Sequence, residues 1–294
     1  MSQRENTYNF YYAIYNLRNP SSNVKLGNST ILKFDDLPRR TQEHFVGWWK
    51  NYFEVYKEWA KTEDELINRK KTSTFLHLKV KAKSDDEAEE DALRSVRDAM
   101  SILGFLYGVY LPIHLGSYFR EDFAVSGGPD EYYYIPNLWI CEYQSKFDEQ
   151  IPRLSSILTK PKSEIERKIG NTLRMFAIQV SISNVQVRFV LLVTCLESLL
   201  STDDRDYLGW KLGEKTAFIL GRNRRICFQG VRDAYKKRSE YVHGNSSTTI
   251  TEDDVNTMQA TVIAVLKKLI EFADSGHTKM KEFDEFVEIT KFRE

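Results

Sequence analysis

Arg238 and His243, five positions apart, are the residues whose types and spacing most directly suggest a reaction. Imidazole titrates near neutrality, so it can take a proton from a ribose 2′-hydroxyl or return one to a leaving oxygen. A guanidinium can hold a phosphate and stabilise the charge that builds on it in the transition state. Together they suit cleavage of an RNA phosphodiester without a metal ion. Five residues span about 140° around a regular helix, so the two side chains meet only if the last turn distorts or a second chain completes the site. The spacing alone is a weak signature, because Arg39 and His44 repeat it at the polar start of another helical segment.

The surroundings of Arg238 carry more information than its spacing. Val231, Tyr235 and Val242 share one helical stripe, Ala234 and Tyr241 flank it, and Arg238 falls in its middle where a leucine is expected. A buried, unpaired guanidinium costs several kcal/mol, so it needs an internal carboxylate or a specific task. Glu197, the only acid between Val185 and Leu200, poses the mirror-image problem. The two are expected to be neighbours, with Glu197 mainly architectural. Gly244 and Asn245 supply the helix stop after His243. From Arg205 to Arg238 there are ten Lys or Arg against three Asp or Glu, and extending the window to Asp203 and Glu240 adds three more acids. Arg222, Arg224, Arg225, Lys236 and Lys237 are the expected contacts for a polyanion, and a merely solvated surface is the plain alternative.

The elements that position these residues are helical. Ile165, Ile169, Leu173, Phe176 and Val180 mark one face of a helix from Lys162 to about Ser181. Val185 to Leu200 is apolar nearly all round and belongs at the centre of a bundle. Helices follow at Tyr207 to Leu220, Arg225 to His243, Thr251 to Ala273 and Met280 to Phe292. The first part of the chain reads differently. In Thr74 to Ala82, Leu76, Leu78, Val80 and Ala82 alternate with His77, Lys79 and Lys81, as a strand with one buried face requires. Ser84 and Glu87 form a capping box for a helix carrying Ala88, Ala92, Val96, Ala99, Leu103 and Leu106. Further strands are expected at Tyr8 to Leu17, Val24 to Phe34, Tyr107 to Leu115, Tyr118 to Val125 and Tyr132 to Cys141, and a helix at Thr41 to Trp59. The expected organisation is an α+β domain over residues 1–145 and an all-α bundle over 155–294.

Composition excludes other classes. With 294 residues, 41% hydrophobic and 29% charged, the chain builds real cores and is not disordered. Forty-two basic residues balance forty-two acidic ones, so any attraction to a polyanion must be local. Cys141, Cys195 and Cys227 are odd in number and widely spaced, which suits buried thiols in a reducing compartment. His44, His77, His114 and His277 lack metal-ligand spacing. Ser126 to Pro129 reads as a turn. Tyr132, Tyr133, Tyr134 and Trp139 are either strand packing or a base-stacking surface. With no basic-then-apolar leader and no spanning segment, a cytoplasmic protein is expected.

The run CLESLLSTDDRDYLGWKLGEKTAFILGRNRR, followed by VRDAYKKRSEYVHGN, resembles the Apea-like branch of the HEPN superfamily. Members of that branch share a helix ending in an L-E-S-L-L-like run, a K-L-x-E-K/R-x-A-x-x-L-like helix and a Y-x-x-R-S-x-x-V-H-G signature. The matching residues are Leu196 to Leu200, Lys211 to Leu220, and Tyr235, Arg238, Ser239, Val242, His243 and Gly244. Ser239 follows the arginine where many active HEPN nucleases carry Asn or Asp, and serine is usual in this branch. The likeness covers roughly Lys160 to Ala273. It implies an all-α HEPN bundle that dimerises and brings two R-x-x-x-x-H motifs into one endoribonuclease site needing no cofactor. Arg238 and His243 would be catalytic, with Glu197 and Ser239 supporting. RNA and a second copy are the implied partners, with neither membrane nor DNA expected. Many relatives are toxins or antiviral effectors. The alternative is a non-catalytic HEPN module that dimerises or binds RNA.

Overall fold

The computed structural model describes residues 5–21, 23–51, 60–107, 118–120, 141–142, 144–180, 182, 184–201, 207–221, 223–244 and 247–291. Among them, the residues up to Ser155 form one compact unit and those from Ser156 onward a second.

The first unit is built on a sheet ordered β2-β3-β4-β1-β5, with β6 also alongside β1. The central β1 (Asn6–Arg18) runs antiparallel to β4 (Ser73–Ala82), pairing Phe10 with Leu78 and Tyr11 with His77. It runs antiparallel to β5 (Tyr118–Arg120) and parallel to β6 (Cys141–Glu142). The segment Val24 to Phe34 is not one strand. It is a hairpin of β2 (Val24–Leu26) and β3 (Ser29–Leu32), because Gly27, at φ 63°, turns the chain, and a 3-10 turn follows at Phe34–Asp36. Beyond β5 and β6, the strands expected from Tyr107 to Cys141 lie outside the described residues, except that Tyr107 ends a helix.

Helix α1 (Arg39–Asn51) and helix α2 (Glu63–Lys71) cover one sheet face, where Phe45, Trp48, Trp49, Leu66 and Ile67 pack with Tyr11, Ala13 and Phe75. The rest of the helix expected to reach Trp59 lies outside the described residues. The opposite face, with Phe10, Tyr12, Ile14, Leu76 and Leu78, is equally buried. The long α3 (Asp85–Tyr107) contacts β3 and β4 and buries Ala88, Ala92, Val96 and Ala99. The early half of β4 is therefore buried on both faces, and the expected alternation holds only from His77 onward, with Lys79 and Lys81 exposed. At the start of α3, Ser84 Oγ accepts from the Glu87 N–H at 3.3 Å, but the Glu87 carboxylate accepts from the Lys83 N–H at 2.8 Å, one residue ahead of the expected box.

The second unit is helical. It comprises the end of α4 (Ile151–Thr159), α5 (Glu164–Val180), α6 (Val185–Leu200), α7 (Leu208–Leu220), α8 (Arg224–Val242), α9 (Glu252–Asp274) and α10 (Met280–Lys291). Helix α6 touches α5, α7, α8 and α9, the central place its apolar sequence predicts. Ile165, Ile169, Leu173 and Phe176 are fully buried on α5, and the Val180 side chain lies outside the described part. Thr251 caps α9 in a capping box with Asp254. Among the described residues no helix is long and apolar enough to cross a membrane.

Candidate active site

Two helix ends and one closely packed helical hairpin define the region around Arg238. The last turn of α6 presents Glu197, and the last turns of α8 present Arg238 and His243. Arg238 Nη2 donates to Glu197 Oε2 at 3.4 Å, with 25% and 16% of the two side chains exposed. The two mirrored sequence anomalies thus resolve into one ion pair. Burial pushes the Glu197 carboxyl above its ordinary value, and the Arg238 guanidinium pulls in the opposite direction. The contact engages one of the five guanidinium N–H groups, while Arg238 Nε is buried with no hydrogen-bond partner.

Glu197 is anchored by the rest of its helix end. Lys168 of α5 donates to the carbonyls of Ser198 and Ser201 at 3.1 and 2.9 Å, and Lys215 of α7 donates to the Leu200 carbonyl at 2.9 Å. These ammonium groups satisfy carbonyls that a helix C-terminus leaves without intrahelical partners. Lys215 also pairs with Asp284 at 2.6 Å, and Lys291 with Glu214 at 2.8 Å, so the charges of the K-L-G-E-K run tie α7 to α10.

His243 caps α8, and its N–H donates to the Ser239 carbonyl at 3.0 Å, so the turn stays regular through the histidine. Gly244 then takes φ 82° and closes the helix. The distorted last turn that would let Arg238 and His243 meet in one chain is not what forms. Arg238 lies toward α6 and His243 is exposed. The apolar stripe ends short of the helix end, since Val231 and Ala234 are buried but Val242 is 52% exposed.

The residues expected to contact a polyanion have varied surroundings. Lys237 pairs with Asp254 at 2.7 Å, so its charge is spent on the cap of α9. Lys236 is exposed and reaches Glu240 at 3.8 Å. Arg224 lies over the Phe218 ring at 4.7 Å, and Arg225 is exposed. Arg222 and Asn245 lie outside the described residues. The structure adds two residues that sequence reasoning passed over. Trp210 is 51% exposed, sits edge-on to Phe228 at 4.7 Å, and has the Arg232 guanidinium 4.9 Å from its ring centroid. This arrangement follows from close approach of α7 and α8, whose signal was the pair Gly209 and Gly213. A Cβ at Gly213 would stand 2.8 Å from the Phe228 carbonyl oxygen, and one at Gly209 would stand 2.7 Å from Tyr235 Cδ1.

The other sequence candidates are packing residues. Arg39, in the duplicate of the spacing, pairs with Glu43 at 2.9 Å, and burial holds His44 below the ordinary imidazole value. His77 stacks on Tyr11, and His277 stacks on Phe272 and faces Glu282. Burial pushes the Cys195 thiol up to about 12, which leaves it unreactive, and raises Cys227 in the same direction. The Cys141 side chain, His114, Ser126 to Pro129, and Tyr132, Tyr133, Tyr134 and Trp139 lie outside the described part. No group of three His, Cys, Asp or Glu among the described residues is arranged to hold a metal ion. Comparisons with family models, curated proteins and solved structures find no match to this chain.

Proposed function

We propose that this chain is a metal-independent endoribonuclease of HEPN type that acts in the cytoplasm as a homodimer, with the bundle over residues 155–294 as the nuclease and the α+β domain over 1–145 as a sensor or partner domain. In this reading His243 takes the proton from a ribose 2′-hydroxyl, and the 2′-oxygen attacks the adjacent phosphorus. The 5′-oxygen leaves with a proton supplied by an imidazolium, and Arg238 stabilises the charge on the phosphorane-like transition state. The products carry a 2′,3′-cyclic phosphate and a 5′-hydroxyl. A toxin-like or antiviral role follows from the resemblance, as do the supporting roles of Glu197 and Ser239.

The observation that supports this reading is the opposed presentation of the two residues on a regular helix end. Arg238 is held by one long contact with a quarter of its side chain open, and His243 stands exposed about 140° away. A second copy can supply the missing partner to each. The ion pair with Glu197, together with a solvent-facing His243, favours a second reading, a non-catalytic dimerising or RNA-binding module in which Arg238 is architectural.

The test is incubation of purified protein with total RNA in EDTA, alongside Arg238→Ala and His243→Ala variants of verified fold and dimerisation. Loss of cleavage by about 100-fold or more in each variant supports the nuclease. Cleavage that needs added divalent metal, or that survives both substitutions, removes it. Absence of cleavage by all three proteins favours the module.

A further inference from the structure

Around α8, Arg225, Arg232, Lys236, Ser239 and His243 follow at spacings of seven, four, three and four, which holds them within a sector of about 60°. This sector borders α7, because Phe228 and Tyr235, just to one side of it, are the residues that meet Gly213 and Gly209. The helices run antiparallel there, so the start of α7 lies toward the His243 half of α8. Tyr207, 85% exposed, precedes that start, and the half-exposed Trp210 follows it. Arg232 lies over both Trp210 and Phe228, at 4.9 and 5.3 Å from the ring centroids.

Lys236 on this edge reaches Glu240 at 3.8 Å, but the two guanidinium groups are open. Neither Arg225 nor Arg232 has a carboxylate partner among the described residues. The nearby acids are engaged, since Asp233 accepts from the Gln229 amide at 2.8 Å and Glu240 accepts from the Thr248 hydroxyl at 3.0 Å. A half-exposed indole with a guanidinium that lies over its ring and has no carboxylate partner offers aromatic surface and a cation to the same ligand. An apolar protein partner would have to desolvate Arg232 without returning a charge to it. A nucleotide supplies both the base to stack and the phosphate to pair.

We propose that Trp210 and Arg232 form a stacking platform for an unpaired nucleobase, and that the α8 edge from Arg225 to His243 guides single-stranded RNA. The proposal rests on the nuclease reading and names its substrate class. The platform lies about 16 Å along the helix from His243, so the stacked base is upstream or downstream of the scissile bond rather than at it.

The test is fluorescence anisotropy with a labelled 2′-O-methyl oligouridine of about twelve nucleotides, which cannot be cleaved because its 2′-oxygen is blocked. Trp210→Ala weakens binding by about tenfold, the loss of one stacked base, while Trp210→Phe keeps most of the affinity. Arg232→Gln weakens it as well. A blunt duplex, which offers no free base, binds wild type and Trp210→Ala alike. Wild-type affinity in a Trp210→Ala protein of native circular dichroism overturns the platform. So does a changed sedimentation behaviour with RNA affinity intact, which would assign this face to contact between copies. Because the probe reads binding only, an inactive wild type that still shows the Trp210 dependence removes the nuclease and keeps the platform. Cleavage abolished by Arg238→Ala with Trp210-independent binding does the reverse.

Discussion

The Arg238 and Glu197 pair gives a prediction whose size can be worked from its geometry. Unit charges 3.4 Å apart attract by about 5 kcal/mol at an effective dielectric near 20. Both side chains keep some solvent contact, and both give up hydration to be where they are, so most of that attraction is offset. A net coupling of about 1–2 kcal/mol is expected from a double-mutant cycle of Arg238→Met and Glu197→Gln, followed by urea unfolding near neutral pH. Arg238→Met alone is the costlier change, at about 2–3 kcal/mol, because it leaves the carboxylate half-buried with no cation. The pH dependence has a definite sign. Burial raises the folded Glu197 above its ordinary value of 4.5, so the folded chain binds the proton more tightly and this group's contribution declines as pH rises through that window. Removing Arg238 raises the folded value further, so the variant loses more stability than wild type as pH rises above the ordinary carboxylate value of 4.5. A coupling below about 0.3 kcal/mol with parallel pH profiles would refute the reasoning.

Two further outcomes follow from the packing. Burial, with the Arg18 charge adding to it, pushes the Lys70 ammonium down to about 7, so stability rises with pH from there toward 10.5 as the unfolded chain gives up its proton. Lys70→Met flattens that rise in thermal melts taken across pH, and an unchanged pH slope would contradict this. Gly213→Ala forces a Cβ onto the Phe228 carbonyl and costs about 1–3 kcal/mol in chemical denaturation, whereas Gly230→Ala, with nothing near its Cβ, gains about 0.5–1 kcal/mol.

Stripes of about three turns or more were legible because each repeats one decision many times, as Ile165 to Phe176 on α5 and Val255 to Leu269 on α9 do. The Arg238 and Glu197 pair was legible for a different reason: two local violations of opposite sign have one common resolution. Helix α2 went unread because only Leu66 and Ile67 give it an apolar face, although Thr62 accepting from the Glu65 N–H at 3.1 Å leaves a cap signal in the sequence. The burial of Lys70 went unread too, since a basic last turn looks like solvated surface. What the sequence could not supply was contact between distant elements. Lys237 looks free until Asp254 is seen across from it, and Trp210 drew no reading until Gly209 and Gly213 were seen to let α8 approach α7. These are the residues that decide which charges remain for a ligand.

The lysines at the end of α6 have an electrostatic consequence beyond their hydrogen bonds. A helix C-terminus carries roughly half a negative charge, and Glu197 adds a full one close by. Left alone, that end of the bundle would repel any phosphate approaching Arg238. Lys168, on the Ser198 and Ser201 carbonyls, and Lys215, shared between the Leu200 carbonyl and Asp284, offset the helix's field at its source. The potential met by an incoming anion is then set by the arginine and its one acid, so substituting Lys168 should slow anion association, most visibly at low ionic strength, without touching the ion pair itself.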